Sequence, residues 1–140
     1  MRIILLGPPG AGKGTQAKTL AKALKLVHIS TGDLLRQNVQ VGSELGERAK
    51  SFMDKGTLVP DELVTQMLLA RITEADVSGG FILDGFPRNL AQAESLDGAL
   101  KEKNLGIDLV VYLETSENVV IQRLCGRLVC RNCGMNFHIH

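Results

Sequence analysis

Aromatic residues are nearly absent. The sequence has no tryptophan, one tyrosine and four phenylalanines, too few for the stacking surface that holds single-stranded nucleic acid. An excess of charge is lacking as well. Sixteen basic residues against 15 acidic ones leave a formal net charge of +1, so there is no bulk attraction for nucleic acid or an anionic membrane. No apolar run approaches the roughly 18 residues of a membrane span. The opening MRIILLGPPG has one short apolar run, Ile3 to Leu6, and no small-residue cleavage site after it. It therefore reads as a buried strand and not as a signal peptide. Cysteine is sparse: three residues, two of them Cys130 and Cys133 in C-x2-C spacing. That is not a disulfide framework and points to a reducing, cytoplasmic setting.

What is present suits one globular domain: 140 residues, 44% hydrophobic and 22% charged. Apolar strand-like runs alternate with helix-period segments. RIILL (2–6), VHI (27–29), FILD (81–84) and LVVYL (109–113) read as strands, without repeats or low-complexity tracts between them. KGTQAKTLAKAL (13–24) puts Ala17, Leu20, Ala21 and Leu24 on one helix face. TGDLLRQNV starts a second helix behind Ser30 or Thr31. DELVTQMLLARI (61–72) follows Pro60 with Leu63, Val64, Met67, Leu68 and Ile72 on one stripe. Asn89 heads a helix over 89–103, Ser116 caps ENVVIQRLC, and Gly126 is placed to end that last helix. Continuous apolar strands between helices predict an α/β fold, a parallel sheet covered on both faces. The polar stretch 30–59 has no strand of its own and reads as an inserted subdomain returning through DKGTLVP.

The strongest chemical signal is GPPGAGKGT (7–15), lying between a strand and a helix. Gly7, Gly10 and Gly12 let the backbone turn its N–H groups inward, where with the helix dipole they hold phosphate oxygens. Lys13 reaches for the terminal phosphates. The motif departs by one residue from G-K-[ST], because Gly14 precedes Thr15.

GPPGAGKGTQA, HISTGDLLR, KGTLVPDE, FILDGFPRNLAQAE and RLCGRLVC together, in this order and spacing, resemble the adenylate kinases, and among them the bacterial type with zinc in its lid. The resemblance runs over essentially the whole chain. It implies the P-loop nucleoside monophosphate kinase fold, with core at 1–29 and 60–125, a nucleoside-monophosphate-binding subdomain at 30–59, and the start of a lid at 126–140. It implies Mg²⁺-dependent phosphoryl transfer from ATP to AMP, giving two ADP, by a monomer. Gly10, Ala11, Gly12, Lys13, Gly14 and Thr15 match the cradle for ATP. Arg123 and Arg127 match arginines on ATP and the transferred phosphoryl, and Asn136 and Phe137 fall where a lid meets adenine. Thr31, Arg36, Thr57, Leu58, Val59, Gly85, Phe86, Pro87, Arg88 and Gln92 match AMP-binding positions. Asp33 and Asp84 match the acids that hold the waters of Mg²⁺, and Cys130 and Cys133 the first two zinc ligands. Lys13, Arg88, Arg123 and Arg127 are the expected catalytic cations.

The same residues have plainer readings. Gln92 completes a capping box with Asn89. Asp33 is a first-turn acid favoured by the helix dipole, Asp84 caps a turn, and Arg36 is a solvated helix residue. His138 and His140 offer an intrachain Cys2His2 set, but H-x-H is tighter than the usual spacing. By the resemblance, the second zinc pair, the later lid arginines, the last strand and the last helix are missing here, so a fragment of a longer enzyme is expected. Other acceptor bases, and nucleotide binding without turnover, remain as rival functions.

Overall fold

The structure is a computed structural model that describes residues 1–130 and 136–139. Strands β1 (Arg2–Leu6), β2 (Val27–Ser30), β3 (Phe81–Asp84) and β4 (Leu109–Tyr112) make one parallel sheet in the order β2-β3-β1-β4. Register is set by alternation along each strand. Ile3 and Leu5 pair with Ile82 and Asp84, which pair in turn with His28 and Ser30. All six emerge on one face, where α1 (Lys13–Leu24) lies with Ala17 and Ala21 against Ile3, Leu5 and Ile82. The opposite face carries Ile4, Ile29, Phe81 and Leu83, packed with α4 (Asp61–Arg71) and α5 (Leu90–Glu102) through Leu63, Met67, Leu68, Leu96 and Leu100. Burying each such side chain contributes about 1.5–3 kcal/mol.

Between β2 and α4 the described residues contain two helices and no strand: α2 (Thr31–Val41) and α3 (Glu44–Met53). The sequence announced only the first. Gly42 ends α2 at φ 67, and Ser43 begins α3 by accepting a hydrogen bond from the Gly46 N–H at 3.0 Å. The Ser43 hydroxyl also donates to Asn38 Oδ1 at 2.7 Å, tying the two helices together. Leu34 and Ala49 join the same buried cluster as the sheet.

One local expectation, burial of the apolar sheet on both faces, is corrected at β4, and the two ends of the last helix fall at Ser116 and Gly126 as expected but by other means. The apolar strand β4 is an edge strand with Leu109, Val110 and Tyr112 exposed, and α6 (Glu117–Cys125) buries none of its residues. Ser116 occupies the N-cap of α6 without a side-chain bond. Gly126 follows α6 in right-handed geometry, at φ −89, so its backbone freedom is not what ends the helix. It is instead a point of contact, since a Cβ there would come within 2.3 Å of the His138 imidazole. That contact closes a hairpin of β5 (Arg127–Val129) and β6 (Asn136–His138), with Leu128 opposite Phe137. Among the described residues no helix is long and apolar enough to cross a membrane.

Candidate active site

The turn from β1 to α1 adopts positive φ at Gly10 (82) and Gly12 (92), a region that side chains resist. Gly12 is the N-cap of α1 and offers no side chain to it, and no acid stands in the first turn. The other described α-helices differ. Helices α2, α3 and α5 are capped by Ser30, Ser43 and Asn89, and α4 and α6 begin with acidic residues. Helix α1 alone among them presents its first-turn N–H groups and positive dipole end without a countercharge. Such an end favours an anion over a cation.

Lys13 curls over this loop. Its Nζ donates to the carbonyls of Gly7 and Pro8, both at 2.9 Å. Burial pushes its pKa below the ordinary lysine value, Asp84 pulls it back up, and Arg88 pushes it down again. The buried ammonium thus has Asp84 as its nearby negative charge and Arg88 as a positive one. Arg123, far away in sequence, comes to the same loop, where Nη1 donates to the carbonyls of Gly10 and Ala11 at 3.3 Å each. Helix α6 reaches the loop closely: Leu124 and the Val120 carbonyl stand within about 3.2 Å of where a Gly10 side chain would begin. Thr15 is exposed on α1.

Asp84 ends β3 beside the loop, at the carboxyl end of the sheet where ligands of open α/β folds bind. It explains the missing serine or threonine of the motif. A Cβ on Gly14 would stand 3.2 Å from Asp84 Oδ2, tighter than most real contacts. Glycine lets the carboxylate lie against the helix. Arg88 is exposed, and its Nε donates to the Gly85 carbonyl at 2.9 Å.

Of the second group of expected residues, Thr31, Arg88 and Gln92 bond to one another or to Gly85 just after β3, and the others lie apart in the bonds they make. Thr31, 2% exposed, donates its hydroxyl to the Gly85 carbonyl at 3.2 Å. Arg36 forms an ion pair with Asp33 one turn away, with both side chains more than half exposed. Such a pair contributes little stability, but it engages the Asp33 carboxylate. Thr57 bonds to the Phe52 carbonyl, Val59 packs on the core, and Leu58 stands 89% exposed. Phe86 is core, and Pro87 after it is half-buried. Gln92 is 3% exposed, and both ends of its amide are engaged: Oε1 accepts from the Arg88 N–H and Nε2 donates to Asp61 Oδ1, each at 2.7 Å. The capping box is therefore shifted, because the side chain returns to the residue before Asn89. Sequence reasoning missed two participants, Asp61 and His28. His28 carried a faint signal, being the one polar residue within the apolar VHI.

A family model for adenylate kinase matches residues 5–133. The chain belongs to the adenylate kinase family. Over 139 residues, 99% of its length, it is 52% identical to an adenylate kinase of Caldicellulosiruptor bescii and 50% identical to one of Clostridioides difficile. Over 140 residues it is 53% identical to an adenylate kinase of Streptomyces griseus. It spans 65%, 64% and 64% of the length of these three relatives.

As a member of this family the chain has residues to test against two metals. Asp84 suits Mg²⁺: it is a hard oxygen donor beside the phosphate loop. Asp33 is committed to Arg36 in this arrangement. For zinc, Cys130 directly follows β5 and is half-buried, whereas Cys133 and His140 lie outside the described residues. Among the described residues no three His, Cys, Asp or Glu side chains gather into a metal site. Phe137 and Leu128 form an exposed apolar pair on the hairpin, 53% and 52% exposed. Arg127 and Asn136 are placed by their backbone alone, opposite His138 and Val129.

Proposed function

We propose that the chain binds ATP on the phosphate loop and AMP beside Thr31 and Arg88, and transfers the terminal phosphoryl from one to the other, yielding two ADP. The observation that carries this reading is the uncapped, acid-free N-terminus of α1 with Lys13 and Arg123 converging on it. A phosphate oxygen of AMP is already anionic at neutral pH, so the acceptor needs no general base. Two polyanions must instead be brought together, and positioned positive charge supplies most of the catalysis. Lys13 and Arg123 hold the donor phosphates with the N–H groups of Gly10, Gly12, Gly14 and Thr15. Arg88 and Arg36 take the acceptor phosphate, for which a planar guanidinium offers two donors at once. Arg127 adds charge from the hairpin side. Asp84 holds the waters of a Mg²⁺ ion, which when bound neutralises phosphate charge.

Thr31, Gly85, the backbone of 57–59 and Gln92 form the AMP side, and the exposed Leu58 and Phe137 are apolar surfaces for nucleobases. Residues 30–59 and the segment that begins at Gly126 act as covers that exclude water, the competing acceptor. Cys130 and Cys133 are read as half of a structural zinc clasp, supported by their spacing and by a hairpin too small to bury a core. The reading also makes the protein a cytoplasmic monomer without nucleic-acid or membrane partners, supported by its near-neutral charge and few cysteines.

A coupled assay for ADP with ATP and AMP, CMP, UMP or GMP tests the reaction. AMP as best acceptor, with activity lost in Lys13→Ala, is expected. Better turnover with another acceptor makes the chain a different nucleoside monophosphate kinase. The second reading is a nucleotide-binding unit without turnover. Nucleotide binding by calorimetry with no ADP formed would select it.

A further inference from the structure

Asp84 has a neighbour that neither the motif nor the charge argument uses. His28 stands on β2 opposite Ile82, two residues before Asp84 on the adjoining strand, and so emerges on the same face of the sheet as the carboxylate. His28 Nε2 lies 3.5 Å from Asp84 Oδ2, and the two side chains are only 15% and 13% exposed. Among the described residues His28 Nε2 is the one buried side-chain nitrogen or oxygen without a hydrogen-bond partner. Buried polar atoms are rarely left unpaired, because desolvation is then uncompensated. The gap to a normal N–H···O bond is only about 0.5 Å. The same Oδ2 also lies against Gly14, where a Cβ would come within 3.2 Å of it.

We propose that His28 is a positioning residue for Asp84. Its Nε2–H donates to Oδ2 as the site fills and fixes the plane of the carboxylate, leaving Oδ1 as the oxygen that would accept from the water of a bound Mg²⁺. The arrangement explains a polar ring in an apolar strand, the missing Gly14 side chain, and the unpaired nitrogen together. It rests on the ATP-binding reading above.

The test is calorimetric and needs no turnover. ATP is titrated into wild type, His28→Leu and His28→Gln, with and without Mg²⁺, and AMP into each alone. In wild type Mg²⁺ strengthens ATP binding. In His28→Leu that gain shrinks by about 5- to 10-fold, the worth of one hydrogen bond, while AMP affinity is unchanged. His28→Gln, which restores an N–H donor, recovers most of the gain. Thermal melts show which variants are folded, and the glutamine variant keeps the test decisive if the leucine variant is not. A leucine variant with the full Mg²⁺ gain, or a glutamine variant as impaired as leucine, overturns the positioning role and leaves the functional reading standing. A wild type that binds ATP with no Mg²⁺ gain also overturns it. A wild type that binds neither nucleotide overturns both.

Discussion

Gln92 is the residue at which stability and recognition separate most sharply. Gln92→Leu keeps the volume of a 3% exposed side chain and removes both of its hydrogen bonds. The Arg88 N–H then loses its acceptor in a partly buried position, at about 1–3 kcal/mol. Asp61 is exposed and still accepts from Asn89 Nδ2 at 2.5 Å, so the bond lost there adds little. The expected loss is about 1–3 kcal/mol. For a chain of this size that lowers the melting temperature by roughly 3–10 °C. Thermal unfolding followed by circular dichroism measures it, and AMP titration well below the transition measures recognition separately. A melting temperature within about 2 °C of wild type, with AMP affinity alone reduced, would refute the reasoning. The amide would then serve the base and not the fold.

Gln92→Glu sharpens the test. It keeps the acceptor for Arg88 and sets a second carboxylate against Asp61, so the proton affinity of one of the two must rise. A carboxyl whose folded pKa is raised stabilises below its unfolded pKa and loses that contribution as pH climbs through the folded value. The glutamate variant should therefore approach wild-type stability in acid and fall away from it towards neutrality. The leucine variant should show no such trend.

Other outcomes follow from the loop and the hairpin. Because burial holds the Lys13 pKa below its usual 10.5, tripolyphosphate affinity should begin to fall at a lower alkaline pH than an exposed lysine would allow. Bound phosphate raises that pKa again, so binding takes up protons in the window between the two values. Calorimetry in buffers of different ionisation enthalpy detects the uptake, and Lys13→Arg, which stays charged, should abolish it. The lowered pKa also means that the folded state binds fewer protons in this window, so stability rises with pH there. Gly126→Ala places a Cβ about 2.3 Å from His138 and should open the β5–β6 hairpin, seen as faster amide exchange at Leu128 and Phe137. Adding His138→Ala should restore protection, and failure to do so would remove the imidazole from the argument.

The four strands of the parallel sheet, most helices and the phosphate loop were legible because each is a local pattern, whereas the hairpin strands β5 and β6 were not. Helix α1 was bounded at Lys13 and Leu24 by its apolar face alone, and FILD by its flanking glycines and Asp84. The stop within the inserted region was not read, because Ser43 acts across space by reaching back to Asn38, and sequence offers only its cap preference. The cations divide in the same way. Lys13 was readable from the motif, but nothing near Arg123 says that it will lie on the carbonyls of Gly10 and Ala11, and only the family resemblance pointed there.

Two deviations from pattern prove most informative when set side by side. Strand β4 is as continuously apolar as β1, yet three of its four side chains are exposed at the sheet edge and only Val111 packs on the core. For those three its sequence encodes a burial that no described residue supplies, so hydrophobicity reported a propensity and not a location. Gly14 is the reverse case. By the motif a hydroxyl residue belongs there, and the glycine looks like a lapse. In three dimensions the missing Cβ is the space that Asp84 Oδ2 occupies, and His28 Nε2 approaches the same oxygen. A strand that fits its pattern left its surroundings undetermined, while a residue that broke its pattern located the carboxylate on which the proposed chemistry turns.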